Sequence, residues 1–174
     1  MTKKKPKSVK FIMYQRPLTK RIEEFLSGKG ILITELEIQE ESVFVINTHT
    51  FSRIISGHGD LLLNQLKVLK KIVNEKGSMI LAGDLNITPI EFLEWNKDEL
   101  SSIIPKTPIL DPKNPYRKKA PIHFMDRIEG NKGPTFLGVK TNPLKFVLNT
   151  QVISNIYLSD HQPIISEIIF FKQF

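Results

Sequence analysis

The segment VFVINTH, residues 43–49, decides how the rest of this chain can fold. It is a continuous apolar run that ends in amide, hydroxyl and imidazole side chains, which is typical of a buried strand and its end. Residues 60–74 follow with apolar side chains at helical spacing, and residues 78–82 form a second apolar run. This strand–helix–strand order predicts two parallel strands in one sheet, with their polar ends at the same edge.

Two further polar clusters have the same character. GDLN, residues 83–86, directly follows the second predicted strand, and SDHQP, residues 159–163, follows another apolar run. With NTH at 47–49, the clusters contain two histidines, two aspartates and two asparagines, and the chain has no cysteine. Such a set suits an oxygen-preferring divalent metal and phosphate better than it suits structural zinc.

The remaining pattern predicts one mixed α/β domain. A turn at 40–42 makes a hairpin of two strands, and Pro89 opens a short helix over 90–100. Further strands are predicted over residues 9–14, 31–39, 136–139, 145–148 and 164–171. Residues 105–134 contain six prolines and predict a long surface loop of the kind that often contacts substrate. Residues 1–8 are expected to be a basic disordered arm, and residues 9–174 a single domain.

Composition narrows the class of protein. The chain of 174 residues is 40% hydrophobic, which is enough for a normal core and excludes a disordered body. No apolar stretch approaches the ~20 residues that a transmembrane helix needs. The absence of cysteine fits a cytoplasmic protein. A formal charge of +7 favours polyanionic partners, nucleic acid among them, without fixing a substrate.

The three clusters together resemble the motifs of the endonuclease/exonuclease/phosphatase family, which are metal-dependent phosphoesterases with a DNase I-like fold. NTH at 47–49, GDLN at 83–86 and SDHQP at 159–163 match in order and spacing, and KGIL at 29–32 is similar to the opening of the strand before NTH. The resemblance spans roughly residues 16–168. It implies a four-layer α/β sandwich of mixed sheets and a phosphoester hydrolase that uses Mg²⁺ or Mn²⁺.

The resemblance also implies roles for individual residues. His161 would be the general base or water-orienting group, and Asp160 would bind the metal. Asp84 and Asn86 would position water and phosphate, and His49 would stabilise the phosphoryl charge. The expected catalytic residues are therefore His49, Asp84, Asn86 and His161, and the expected substrate-binding residues are Asn47, His49 and Asn86. From the residues alone, GDLN is also ordinary Asx-turn chemistry, and a strand-end histidine is often structural.

Two departures from the family pattern favour a second hypothesis. Only 48 residues precede His49, and the first 30 contain neither the asparagine strand nor the glutamate strand of the family. The segment LKFVL, residues 144–148, places Lys145 where the family has an aspartate that orients the terminal histidine. The alternative to an enzyme is therefore an incomplete or degenerate member that binds phosphate ligands or a partner.

The missing strands lead to a further expectation. They would supply about half of the sandwich, so the present strands should leave a broad apolar surface. We expect the isolated chain to self-associate, to be marginally stable or to need a companion segment that covers this surface.

Overall fold

A computed structural model describes residues 5–14, 28–51, 59–97, 100–103, 135–140, 144–153 and 164–172. These residues form eight strands and two helices. The strands are β1 (Ser8–Met13), β2 (Gly30–Ile38), β3 (Glu41–His49), β4 (Ser78–Asp84), β5 (Ser101–Ile103), β6 (Thr135–Lys140), β7 (Lys145–Val152) and β8 (Ile164–Phe171). The helices are α1 (Gly59–Glu75) and α2 (Pro89–Asn96).

The main sheet has six strands in the order β1-β2-β3-β4-β6-β5. Its central pair, β3 and β4, is parallel, and the chain between them includes α1. All other neighbouring pairs of the sheet are antiparallel. The predicted strand–helix–strand unit is thus confirmed, and it brings the C-terminal ends of β3 and β4 to one edge.

Helix α1 covers one face of this sheet. Its buried side chains join those of β2, β3 and β4 in the larger apolar core, which contains Leu62, Leu66, Leu69, Ile72 and Val73 from the helix. Leu63, which the helical pattern also placed among the apolar positions, is 49% exposed. Helix α2 packs Phe92 and Trp95 against the same core, whereas Leu93 is exposed.

The second sheet, β7 and β8, covers the other face of β3 at its beginning. Leu144 and Phe170 form a smaller buried cluster with Val43, the third residue of β3. Gln39 Nε2 in the β2–β3 turn donates a hydrogen bond of 2.9 Å to the Phe170 carbonyl oxygen. The C-terminal end of β8 therefore lies beside the β2–β3 turn, at the end of β3 remote from His49.

An apolar patch remains exposed where β7 and β8 do not reach. Val9, Phe11 and Met13 alternate along β1 on the face that also carries Leu32, and all four are 41–59% exposed. The outward face of the second sheet also carries exposed apolar side chains, namely Val147, Ile165, Ile169 and Phe171. These surfaces agree with the expected apolar face of an incomplete sandwich.

Several element boundaries differ from those predicted. The β2–β3 turn is the pair Gln39–Glu40, both with positive φ, because Glu41 already pairs with Ile38. Helix α2 ends at Asn96 because Lys97 adopts a left-handed cap conformation.

Strand β5 was not predicted. Strand β1 includes Ser8, and the Lys7 amide bonds to Glu35, so the sheet extends into the predicted basic arm. The predicted loop 105–134 lies outside the described residues.

Candidate functional site

The site begins with the last residues of the two parallel strands. His49 ends β3, Asp84 ends β4, and the two are register partners. His49 Nε2 lies 3.7 Å from Asp84 Oδ2. The imidazole is 57% exposed, whereas the carboxylate is only 16% exposed. Both strands run further than the apolar pattern indicated, so these side chains are held by strand backbone and do not lie on a loop.

Gly83 makes this close pairing possible. Its φ is +153°, and a Cβ at this position would collide with the backbone carbonyl oxygen of Thr48 on β3. Beyond the strand ends, the Thr50 amide donates a hydrogen bond of 2.9 Å to the Asp84 carbonyl oxygen. Glycine is therefore required at position 83, because only a residue without a side chain lets β4 approach β3 so closely.

Asp84 and Asn86 form an Asx turn. The Asn86 amide donates a hydrogen bond of 2.9 Å to Asp84 Oδ1, and Asn86 has φ +50°. The Asx turn, which is the structural alternative to a functional role for GDLN, is therefore present. It does not exclude such a role, because the second carboxylate oxygen, Oδ2, is the one that lies near His49.

The Thr50 carbonyl oxygen joins three segments of the chain. It accepts one hydrogen bond of 2.9 Å from Asn86 Nδ2, after β4, and another of 2.9 Å from Lys29 Nζ, before β2. Asn86 thus uses its amide nitrogen to hold backbone. Its side-chain oxygen is the atom suited to accept from water.

Lys29 belongs to the site, although the motifs did not assign it a role. Its Nζ lies 3.1 Å from His49 Nε2 and 5.1 Å from the centroid of the buried Phe51 ring. The register of the neighbouring strands explains its position. In the β2–β3 hairpin Ile31 pairs with Thr48. Lys29, two residues before Ile31, therefore lies beside Thr50, two residues after Thr48.

The middle residue of NTH has a structural role on the opposite face of β3. Thr48 is buried, and its Oγ1 donates to the Gly30 carbonyl oxygen at 3.0 Å. The same oxygen can then only accept from Tyr14 Oη, 2.7 Å away. Burial raises the pKa of Tyr14 to about 12. Asn47 is exposed on the same side of β3 as His49, because the two are two residues apart on a strand.

The other expected residues divide into two groups. Asp160 and His161 lie outside the described residues. Lys145, by contrast, is described, whereas its expected position beside His161 stays a prediction because His161 lies outside the described residues. Lys145 is the register partner of Phe171, at the end of the second sheet that lies beside the β2–β3 turn. The strand that begins beside Asp84 is β6, whose Thr135 is the register partner of Asp84.

The described residues do not by themselves fit a metal ion. Within the described ranges, no group of three or more His, Cys, Asp and Glu residues could hold one. Asp84 contributes a single carboxylate, and its Oδ1 already accepts from the Asn86 amide. Two strand carboxylates, Glu35 and Glu37, lie near the end of β2 that is remote from His49. Glu35 accepts hydrogen bonds from the Ser42 and Ser8 hydroxyls, which lower the pKa of its carboxyl group.

The chain is similar to TDP2 of D. rerio in complex with a single-strand DNA product, with 15% identity, coverage of 95% of this chain and 67% of that one, and a TM-score of 0.63. An endonuclease/exonuclease/phosphatase from Beutenbergia cavernae has 15% identity, coverage of 95% and 44%, and a TM-score of 0.60. A beta toxin mutant from Staphylococcus aureus with bound magnesium ions has 22% identity, coverage of 80% and 57%, and a TM-score of 0.55.

The chain has a DNase I-like fold. The resemblance seen in the three motifs is therefore confirmed at the level of fold. This DNase I-like chain spans 44–67% of the length of the three structures. No family model and no curated protein matches it. No helix among its described residues is long and apolar enough to cross a membrane.

Proposed function

We propose that this DNase I-like chain is a phosphoester hydrolase that requires Mg²⁺ or Mn²⁺. The observation that carries the proposal is the approach of His49 to Asp84, 3.7 Å apart at the ends of a parallel strand pair. Asn86 and Lys29 are tied to the same edge through the Thr50 carbonyl oxygen. A cation, an imidazole, a carboxylate and an amide at one edge are the groups that phosphoryl transfer uses to position its oxygens.

The proposed roles follow from these positions. The Asp84 carboxylate and the Asn86 side-chain oxygen accept hydrogen bonds and would orient the attacking water. The exposed imidazole of His49 and the neighbouring Asn47 would contact the substrate. His161 would act as general base and Asp160 as metal ligand, as the motif resemblance implies. The metal would neutralise phosphoryl charge when bound.

Nucleic acid is the substrate class that we favour. The chain carries a formal charge of +7, and the D. rerio TDP2 structure contains a single-strand DNA product. A phospholipid head group and a small phosphoester are the alternatives. Degradation of a single-stranded oligonucleotide, compared with release of phosphocholine from a choline phospholipid, would distinguish them.

The decisive experiment is hydrolysis of bis(4-nitrophenyl) phosphate with and without Mg²⁺ or Mn²⁺. Asp84→Ala should lower the metal-dependent rate about a hundredfold or more, because a positioned polar group in such a site contributes on that order. Asp60→Ala is the matched control, because Asp60 is an exposed aspartate in the first turn of α1. An absence of metal-dependent turnover, or equal rates for the two variants, would contradict the proposal.

The second candidate is a non-catalytic domain that binds phosphate ligands or a partner. Two observations favour it. The described residues contain no cluster of three or more His, Cys, Asp and Glu side chains that could hold a metal ion, and apolar side chains are exposed on the sheet faces. Such a domain would bind a phosphodiester without turnover at any metal concentration. Titration of the same diester, followed by product analysis, separates it from the hydrolase.

A further inference from the structure

Among the residues that the structure describes, Lys29 is a cation held against the candidate site by several contacts. Its ammonium donates to the Thr50 carbonyl oxygen at 2.9 Å and lies 3.1 Å from His49 Nε2. We infer that Lys29 is the group that binds the anionic phosphoryl oxygen, and that His49, besides contacting the substrate, positions the ammonium and carries no charge itself. This inference rests on the proposed function, because it assumes a phosphate ligand at this edge.

The hydrogen bond between Lys29 and His49 determines the state of the imidazole. An ammonium nitrogen has protons to donate and no lone pair, so His49 Nε2 must be the acceptor. The ring is then neutral, with its proton on Nδ1. A doubly protonated ring would place two positive charges 3.1 Å apart. The Asp84 carboxylate offsets part of this repulsion, but its Oδ2 lies 3.7 Å from Nε2, which is too far for a hydrogen bond. The motif resemblance made His49 the charge-stabilising group, and this contact transfers that task to Lys29.

The surroundings keep the ammonium in place. The side chain is half-buried, and Phe51, whose ring lies 5.1 Å from Nζ, is buried. The Thr50 carbonyl oxygen is itself fixed by Asn86 and by the pairing of the Thr50 amide with Asp84. A phosphoryl oxygen is a stronger acceptor than a neutral imidazole, so it would draw the same N–H group without moving the lysine far.

Two variants and a control test the inference in the full chain. Lys29→Met removes the charge with similar volume, Lys29→Arg keeps it, and Lys10→Met removes an exposed lysine from β1. Binding of inorganic phosphate is measured by calorimetry. The His49 ring nitrogens are observed by ¹⁵N NMR, with His49→Gln used to assign them.

We expect Lys29→Met to weaken phosphate binding about tenfold or more, since a charge-assisted hydrogen bond is worth about that factor. Lys29→Arg should restore part of the affinity, and Lys10→Met should bind as the native chain does. Native His49 should carry its proton on Nδ1. Lys29→Met should change the ratio of the Nδ1-protonated to the Nε2-protonated form. A native ring protonated on Nε2, absent phosphate binding, or equal affinity of Lys29→Met and Lys10→Met would overturn the inference.

The outcome is independent of the hydrolase test. Hydrolysis of the diester with unchanged phosphate binding in Lys29→Met would remove Lys29 from the site and leave the hydrolase standing. Phosphate binding through Lys29 without any turnover would remove the hydrolase and leave this inference standing.

Discussion

The side-chain amide of Asn86 donates a hydrogen bond of 2.9 Å to the backbone carbonyl oxygen of Thr50. This bond fastens the segment after β4 to the segment after β3, directly beside the paired strand ends. It also means that the orientation of Asn86 is set by backbone, so that a substitution here has a structural and a functional consequence at once.

Replacement of Asn86 by aspartate should be more damaging than replacement by glycine. Aspartate loses the Nδ2 donor and places a carboxylate against the Thr50 carbonyl oxygen and beside Asp84. We expect a loss of about 1–3 kcal/mol of unfolding free energy by urea denaturation. Asn86→Gly is the control, because it accepts φ +50° and introduces no charge. Equal stability of Asn86→Asp and the native chain would show that the bond to Thr50 does not form.

Replacement of Gly83 by alanine should separate β3 from β4 at the site. The added Cβ meets the Thr48 carbonyl oxygen, which is backbone and cannot rotate away. We expect a loss of about 2 kcal/mol or more in thermal or urea unfolding. Gly138→Ala is the matched control on β6, since the nearest atoms there belong to the Leu100 side chain, which can shift. Similar losses for both glycines would contradict the close approach at position 83.

Tyr14 should make stability fall in alkaline solution. Its pKa is raised by burial to about 12 from the model-compound value of 10.0. The unfolded chain therefore loses this proton first, so the contribution is complete below pH 10 and is lost as the pH rises towards about 12. Urea unfolding across this range should show a steeper decline for the native chain than for Tyr14→Phe. Parallel pH profiles would mean that Tyr14 is not buried.

Lys145→Asp should leave the phosphoesterase rate unchanged. Lys145 lies at the β2–β3 turn end of the second sheet, and His49 and Asp84 lie at the other end of β3 and β4. The measurement is the metal-dependent rate of diester hydrolysis by Lys145→Asp, with Lys145→Gln as the control. A change in rate specific to aspartate would restore the sequence-based hypothesis that this position orients the general base.

The exposed apolar patch on β1 and β2 should drive self-association. Phe11 lies at the centre of the patch and is 53% exposed, and β1 is an edge strand of the sheet. We expect sedimentation to show concentration-dependent association of the native chain, and Phe11→Lys to reduce it. Lys10→Ser, on the other face of the same strand, is the control. A native chain that stays monomeric at high concentration would contradict this prediction.

The sequence predicted the parts of the fold that follow from periodicity. The apolar runs before NTH and GDLN and the helix between them indicated a parallel pair, and His49 and Asp84 do meet at its edge. Periodicity could not place Lys145, because the short predicted strand 145–148 carries no information about which neighbour it pairs with. Lys29 was missed because its contacts depend on the register of a hairpin and on a backbone oxygen, neither of which is visible in residue types. The parts of the proposed site that depend on Asp160 and His161 remain predictions.

The junction at Thr50 also makes the site observable without a substrate. Its amide proton is bonded to the Asp84 carbonyl oxygen, and its own carbonyl oxygen receives Lys29 and Asn86. Any local opening that separates β3 from β4 at this edge exposes that proton to solvent. Its rate of exchange with deuterium therefore reports how often the assembled edge comes apart. A single backbone amide thus measures the fraction of time during which this part of the chain is ready to bind.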